Sequence, residues 1–352
     1  MSLRERDAAA GAPWQRPLHG MLDTLVVESE LLAGNPLGDP AHRPLWVYLP
    51  PGVERDHPKA LPTVYVIQGY TGQLDMWANR AAFEPTVLER LDHLFAAGDC
   101  PDAIVVLVDA WTSYGGSQFV DSPSTGPYMS YLCDEVVPFI DGRYPTLAHR
   151  DHRGLTGKSS GGYGAMVVPM LRPDVFGAIA SHSGDALFEN CFAPDFRVAA
   201  RKLRDDFDGS YERFFEALAA ADHFDFGQLA APLMLYGCAA CYSPDPGSPG
   251  KALLPFEIET GRIVDDVWQQ WLAWDPVRLA PAHADALRSM KRIYLDAGRR
   301  DEFFLDLGAT AFAQQVEKVG AKCTLELFDG THAGLAYRYP GAIRELALAL
   351  AP

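Results

Sequence analysis

Residues 157–164 read Gly-Lys-Ser-Ser-Gly-Gly-Tyr-Gly, so six of eight positions are glycine or serine. Side chains this small imply that backbone must pass close to backbone here. Two local folds suit such a stretch. One is a phosphate-cradling loop, suggested by Gly157-Lys158-Ser159; it needs a second glycine five positions before Gly157, and that position holds His152. The other is a sharp strand–serine–helix turn, glycine–any–serine–any–glycine, which exposes the serine at a sheet edge. His152–Gly157 reads as a strand and Ser160–Leu171 as a helix, so the second fold fits. Pro169 predicts a kink or an early end to that helix.

Around this turn, strand-length and helix-length segments alternate, the pattern of an α/β sheet. Thr24–Leu32 and Pro44–Pro51 suggest antiparallel strands at one edge. Thr63–Gly69 and Ala103–Ala110 are continuous β-branched runs, as in strands buried on both faces. Phe176–Gly184, Lys291–Gly298 and Lys322–Gly330 extend the series. Helices are expected at Glu84–Ala97, Tyr128–Asp141, Glu302–Val319 and Ala342–Leu350. The interval from Asp185 to Met290, about 100 residues, is far longer than a strand–helix–strand link requires. Its helical stretches (Phe196–Leu203, Tyr211–Ala221, Val264–Trp274) predict a largely helical cap. The expected division is therefore a core of residues 1–185 and 291–352 with 186–290 inserted. Trp268, Trp271 and Trp274 are expected to pack that cap onto the body.

A serine hydroxyl is inert without a base. In such folds the order is serine, acid, histidine, the last two in loops after late strands. Asp301 and His332 occupy those loops, with Asp296 and Asp185 as alternative acids. His332 would accept the Ser159 proton and the carboxylate would orient it. The N–H groups of Ser160 and Tyr70 are the expected oxyanion donors, with Gly69 allowing close approach. Trp111, Tyr114, Gln118 and His182 are expected to line the substrate pocket.

The formal net charge is −16, which argues against nucleic acid and anionic membranes as partners. Neither a signal-peptide core nor an 18-residue apolar run is evident, so a cytoplasmic location is expected. The six cysteines are scattered and form no disulfide framework. Cys238 and Cys241 make a single CxxC, a weak zinc signal; no metal or cofactor is expected. A homo-oligomer is left open.

These segments resemble the esterase D-like group of α/β-hydrolases, which includes S-formylglutathione hydrolases, feruloyl and other carbohydrate esterases, enterochelin esterases and mycolyltransferases. The similarity spans most of Leu45–Tyr339 outside the inserted interval. It is carried by "VYLPPGVE", "LPTVYVIQGYTG", "GKSSGGYGAM", "PDVFGAIASHSG" and "DAGRRDEF". In the last motif the second aspartate is the family's catalytic acid, which implies Asp301; His332 matches its glycine–any–histidine. Three features depart from the pattern: Gln68 replaces a histidine before Gly69, Gly334 and Tyr337 stand where aromatics often follow the histidine, and the insertion is large. The resemblance implies an α/β-hydrolase fold, with helices on both faces of a mostly parallel sheet, and serine hydrolysis of a small-molecule carboxylic ester through an acyl-enzyme. Acyl transfer by the same three residues and a non-catalytic binding role are the alternatives.

Overall fold

The computed structural model describes residues 16–352; residues 1–15, on which part of the leader reading rests, lie outside them. Eight strands form one sheet: β1 (Met21–Glu28), β2 (His42–Leu49), β3 (Thr63–Ile67), β4 (Ile104–Val108), β5 (Arg153–Lys158), β6 (Ala178–His182), β7 (Arg292–Gly298) and β8 (Thr324–Phe328). Their spatial order is β1-β2-β4-β3-β5-β6-β7-β8. β2 is antiparallel to both β1 and β4, and the remaining pairs are parallel. Every strand expected from the sequence is present with shifted ends; β1 runs from Met21 to Glu28 rather than Thr24 to Leu32, and β2 from His42 to Leu49 rather than Pro44 to Pro51.

The unbroken apolar runs of β3 and β4 follow from burial on both faces. Val64, Val66, Val105 and Leu107 point into a core shared with α1 (Val87–Ala96) and the C-terminal helix Tyr339–Leu350. Their alternate neighbours Tyr65, Ile67, Val106 and Val108 enter the core on the opposite face, beside the helical stretch Tyr128–Asp141. That stretch is not uniform: Tyr131–Val136 forms a π-helical turn.

Helix α2 (Ser160–Leu171) packs against β5 and β6. The helix does not end early at Pro169 but continues to Leu171. Every residue from Ser160 to Met170 is buried, so packing on all sides holds a turn that proline deprives of one hydrogen bond.

Residues 186–290 carry α3 (Ala193–Phe207), α4 (Tyr211–Ala220), α5 (Phe226–Tyr242) and α6 (Asp265–Leu272). Helix α5 lies outside the sequence expectation: Gly227, Pro232 and Gly237 disguise it, and its apolar residues run all round rather than along one stripe. Trp268 and Trp271 join a continuous core with Tyr163 and Met166 of α2 and Ile293 of β7, and Trp274 packs on its edge. The last elements are α7 (Leu305–Lys318) and α8 (Tyr339–Leu350). Among the described residues no helix is long and apolar enough to cross a membrane.

Candidate active site

The turn between β5 and α2 brings Ser159 to the C-terminal edge of the sheet with φ 58° and ψ −125°, a conformation that a non-glycine residue occupies only when its surroundings impose it. Its surroundings do. The Ser159 N–H donates to the His182 carbonyl at 3.0 Å, and the Ser159 carbonyl accepts the Tyr163 N–H at 2.8 Å. The glycines are required by contact: a Cβ on Gly161 would lie 2.5 Å from the Ile67 carbonyl oxygen, and one on Gly157 would lie 2.5 Å from the Gly161 backbone. Strand β3, strand β5 and the first turn of α2 thus touch through backbone alone.

Two loops converge on this serine. After β7, Asp301 is fixed by its own turn, its Oδ1 accepting the Phe303 N–H at 3.0 Å. After β8, the His332 N–H donates to Glu302 Oε2 at 2.9 Å, and the Phe303 ring packs edge-on against the imidazole. His332 Nδ1 lies 2.9 Å from Asp301 Oδ2, and His332 Nε2 lies 3.1 Å from Ser159 Oγ. Burial by itself would raise the Asp301 pKa. The hydrogen bond and charge of His332, with the Phe303 N–H, outweigh it and hold the carboxyl below its usual value. An ionised Asp301 only accepts hydrogen bonds, which puts the imidazole proton on Nδ1 and leaves Nε2 to accept from the Ser159 hydroxyl.

Ser159 and His332 open onto a cavity of about 720 Å³. Its walls are mainly apolar, with Phe192, Val198, Phe226, Leu233 and Met234 from residues 186–290 and Leu335 from the His332 loop. Gly69 and Tyr70 line it beside Ser159. Neither the Tyr70 nor the Ser160 N–H donates to another group among the described residues. The Tyr70 hydroxyl reaches two carbonyls instead, that of Tyr114 and, at 2.8 Å, that of Leu233 on α5. Lys158, Asp185 and Asp195 also line the cavity. Burial lowers the pKa of the Lys158 ammonium. Burial pushes Asp185 up to about 6, against the opposing charge of His332 and a 3.1 Å hydrogen bond from Ser160 Oγ.

Four residues expected to line the substrate pocket lie elsewhere. Tyr114 is packed between Phe215 and Tyr236 and donates its hydroxyl proton to the Gly250 carbonyl at 3.0 Å. Gln118 is fully buried and donates to Cys238 Sγ at 2.9 Å. Trp111 borders a narrow crevice behind Ser160, shared with Gln68 and Gln118. His182 is fully buried, with Nδ1 2.7 Å from Asp296 Oδ1. Aromatic packing and buried polar pairing thus hold these side chains away from the main cavity. The two alternative acids are likewise apart from the relay: Asp296 pairs with His182, and Asp185 receives Ser160. Cys238 and Cys241 are both buried on α5. Sequence reading missed the cavity residues of α5 and the groups bonded to Asp296, because their partners are remote in the chain.

The sheet order and the serine turn at the strand edge define an α/β-hydrolase. The chain belongs to the family described as "Putative esterase", whose profile matches residues 40–334. It is 28% identical over 174 residues to the uncharacterized protein YbbA of Bacillus subtilis. That alignment takes in 46% of this chain and 62% of the relative, so it spans somewhat under two thirds of that protein's length. Among solved structures, a ferulic acid esterase superposes with TM-score 0.60 at 19% identity, covering 94% of this chain and 99% of the other. FphF, a fluorophosphonate-binding serine hydrolase of Staphylococcus aureus, gives 0.56 at 15%, covering 95% and 99%. At these identities the structural likeness speaks for the fold.

Proposed function

We propose that the protein is a serine esterase that hydrolyses carboxylic esters of small molecules through an acyl-enzyme. The observation that carries this reading is the unbroken relay Asp301–His332–Ser159, 2.9 and 3.1 Å, opening onto an apolar cavity. In this mechanism Ser159 Oγ attacks the ester carbonyl while His332 Nε2 takes its proton, and Asp301 stabilises the imidazolium. The carbonyl oxygen becomes an oxyanion facing the N–H groups of Tyr70 and Ser160; one such donor is typically worth about 10²–10³ in rate. Collapse expels the alcohol, which takes the proton from His332. Water, deprotonated by the same imidazole, then attacks the acyl-enzyme, and a second collapse releases the acid and restores the serine. Residues 186–290 serve as the cap, shaping the cavity for the apolar part of the substrate.

Ser159→Ala is expected to lower turnover of a short-chain p-nitrophenyl ester by about three orders of magnitude or more, because members of such a relay act as a unit. A fluorophosphonate probe should label the wild type at Ser159 and leave the variant unlabelled. Near-full turnover by the alanine variant would refute the assignment.

A further inference from the structure

The buried pair His182–Asp296 belongs to a larger polar assembly beneath the relay. His182 and Asp296 are register partners on β6 and β7, and neither side chain is exposed. Asp296 Oδ2 accepts from Arg338 Nε at 3.0 Å, and the Tyr294 hydroxyl lies 3.1 Å from Asp296 Oδ2 and 2.8 Å from Glu326 Oε2. Arg338 also pairs with Glu326 of β8 at 2.8 Å and donates to the Tyr294 hydroxyl at 2.9 Å.

The assembly grips both sides of the site. On the serine side, the His182 carbonyl accepts the Ser159 N–H, and the Asp296 carbonyl accepts the Ser183 N–H at 2.7 Å. On the histidine side, Arg338 closes the short 3-10 turn Leu335–Arg338 that follows His332. The next residue, Tyr339, packs edge-on against the His182 ring, with centroids 4.9 Å apart, and against Trp77 at 5.0 Å. Gly334, Leu335 and Tyr339 of this segment form part of the cavity wall.

Loop packing alone does not call for a largely buried guanidinium on a buried carboxylate. An apolar side chain would cover the same surface without the desolvation cost of two charges, whereas ionic groups held this way fix geometry. Burial raises the Asp296 pKa, but His182 and Arg338 together overcome it and keep the group ionised.

We propose that His182, Asp296 and Arg338 form a non-reacting lower tier that sets the position of the His332 loop over Ser159, with Arg338 as its principal positioning residue. This rests on the reading of Ser159 and His332 as the reacting pair. A displacement near 1 Å between reacting groups can cost about a hundredfold in rate. Arg338→Met should therefore lower kcat for a neutral p-nitrophenyl ester about 10- to 100-fold with KM within about threefold. Arg338→Lys, which keeps the charge and loses the fork, should fall between the two. The downfield proton resonance of His332 Nδ1–H should broaden in Arg338→Met while the far-ultraviolet dichroism stays native.

Should Arg338→Met fail to fold, Glu326→Gln decides. It loosens one hold on Arg338 from a half-exposed position and should lower kcat about threefold or more at unchanged KM. Turnover within twofold of wild type, with an unaltered Nδ1 resonance, in folded Arg338→Met or in Glu326→Gln overturns the proposal. A rise in KM alone does so too, since it would make Arg338 a wall of the cavity. If Ser159→Ala and His332→Ala both abolish turnover while the Arg338 and Glu326 variants behave as wild type, only the positioning role fails. If Ser159→Ala itself retains turnover, the esterase reading fails first.

Discussion

Tyr70 carries two separable contributions in one residue. Tyr70 lines the cavity beside Ser159, where the proposed mechanism has its backbone N–H meet the oxyanion, while its hydroxyl lies in hydrogen-bond reach of the Tyr114 carbonyl and of the Leu233 carbonyl of α5. Tyr70→Phe removes the second and keeps the first. Losing the buried hydrogen bonding of the phenol to the Tyr114 and Leu233 carbonyls costs about 1–3 kcal/mol, so the urea midpoint should drop accordingly while ester turnover falls less than tenfold. A hundredfold loss of kcat without loss of stability would instead place the hydroxyl at the reacting centre. The sequence could expose Tyr70 as a donor candidate, since Gly69 precedes it at a strand end. It could not show that the phenol crosses to α5, a partner 163 positions away.

Among the elements, the β5–α2 turn was the most legible, because its glycines are demanded by contact rather than by propensity. Gly161→Ala puts a methyl 2.5 Å from the Ile67 oxygen and 2.7 Å from that of Gln68. Since backbone stands on both sides, relief requires β3 and α2 to separate. A loss of about 3 kcal/mol or more is expected in denaturant unfolding, together with loss of turnover. An unchanged midpoint would mean that the turn is looser than its contacts indicate. Strands β3 and β4 were equally readable, since two-sided burial leaves an apolar run with no polar interruption. Helix α5 was not: its apolar residues run round every side, with all of Leu235–Tyr242 buried, so periodicity cannot mark it, and Pro232 argues against a helix locally. The polar tier around Asp296 was hidden for a different reason. Its members come from β6, β7, β8 and the turn before α8, and only the folded sheet puts them side by side.

At the scale of the whole molecule, buried carboxylates pull the pH dependence of stability in opposite directions. Asp301 and Asp296 sit below their ordinary pKa, so the stability they lend is present above about 4 and is lost as pH falls through their depressed values. Asp185 runs the other way. Its folded-state pKa of about 6 exceeds the unfolded value of about 3.9, so the folded protein holds an extra proton between them. That contribution is full below about 4 and disappears as pH rises through 6; two pKa units correspond to an order of 3 kcal/mol. The difference in urea midpoint between Asp185→Asn and wild type should therefore move in the variant's favour from pH 4 to 6 and level off above. A difference independent of pH would show that Asp185 ionises freely in the cavity. The chain order Ser159, Asp301, His332 has a consequence for folding. Under the proposed mechanism, Ser159 on the β5–α2 turn has neither proton acceptor nor counter-charge until β7 and β8 have docked, so onset of hydrolysis during refolding would report completion of the sheet.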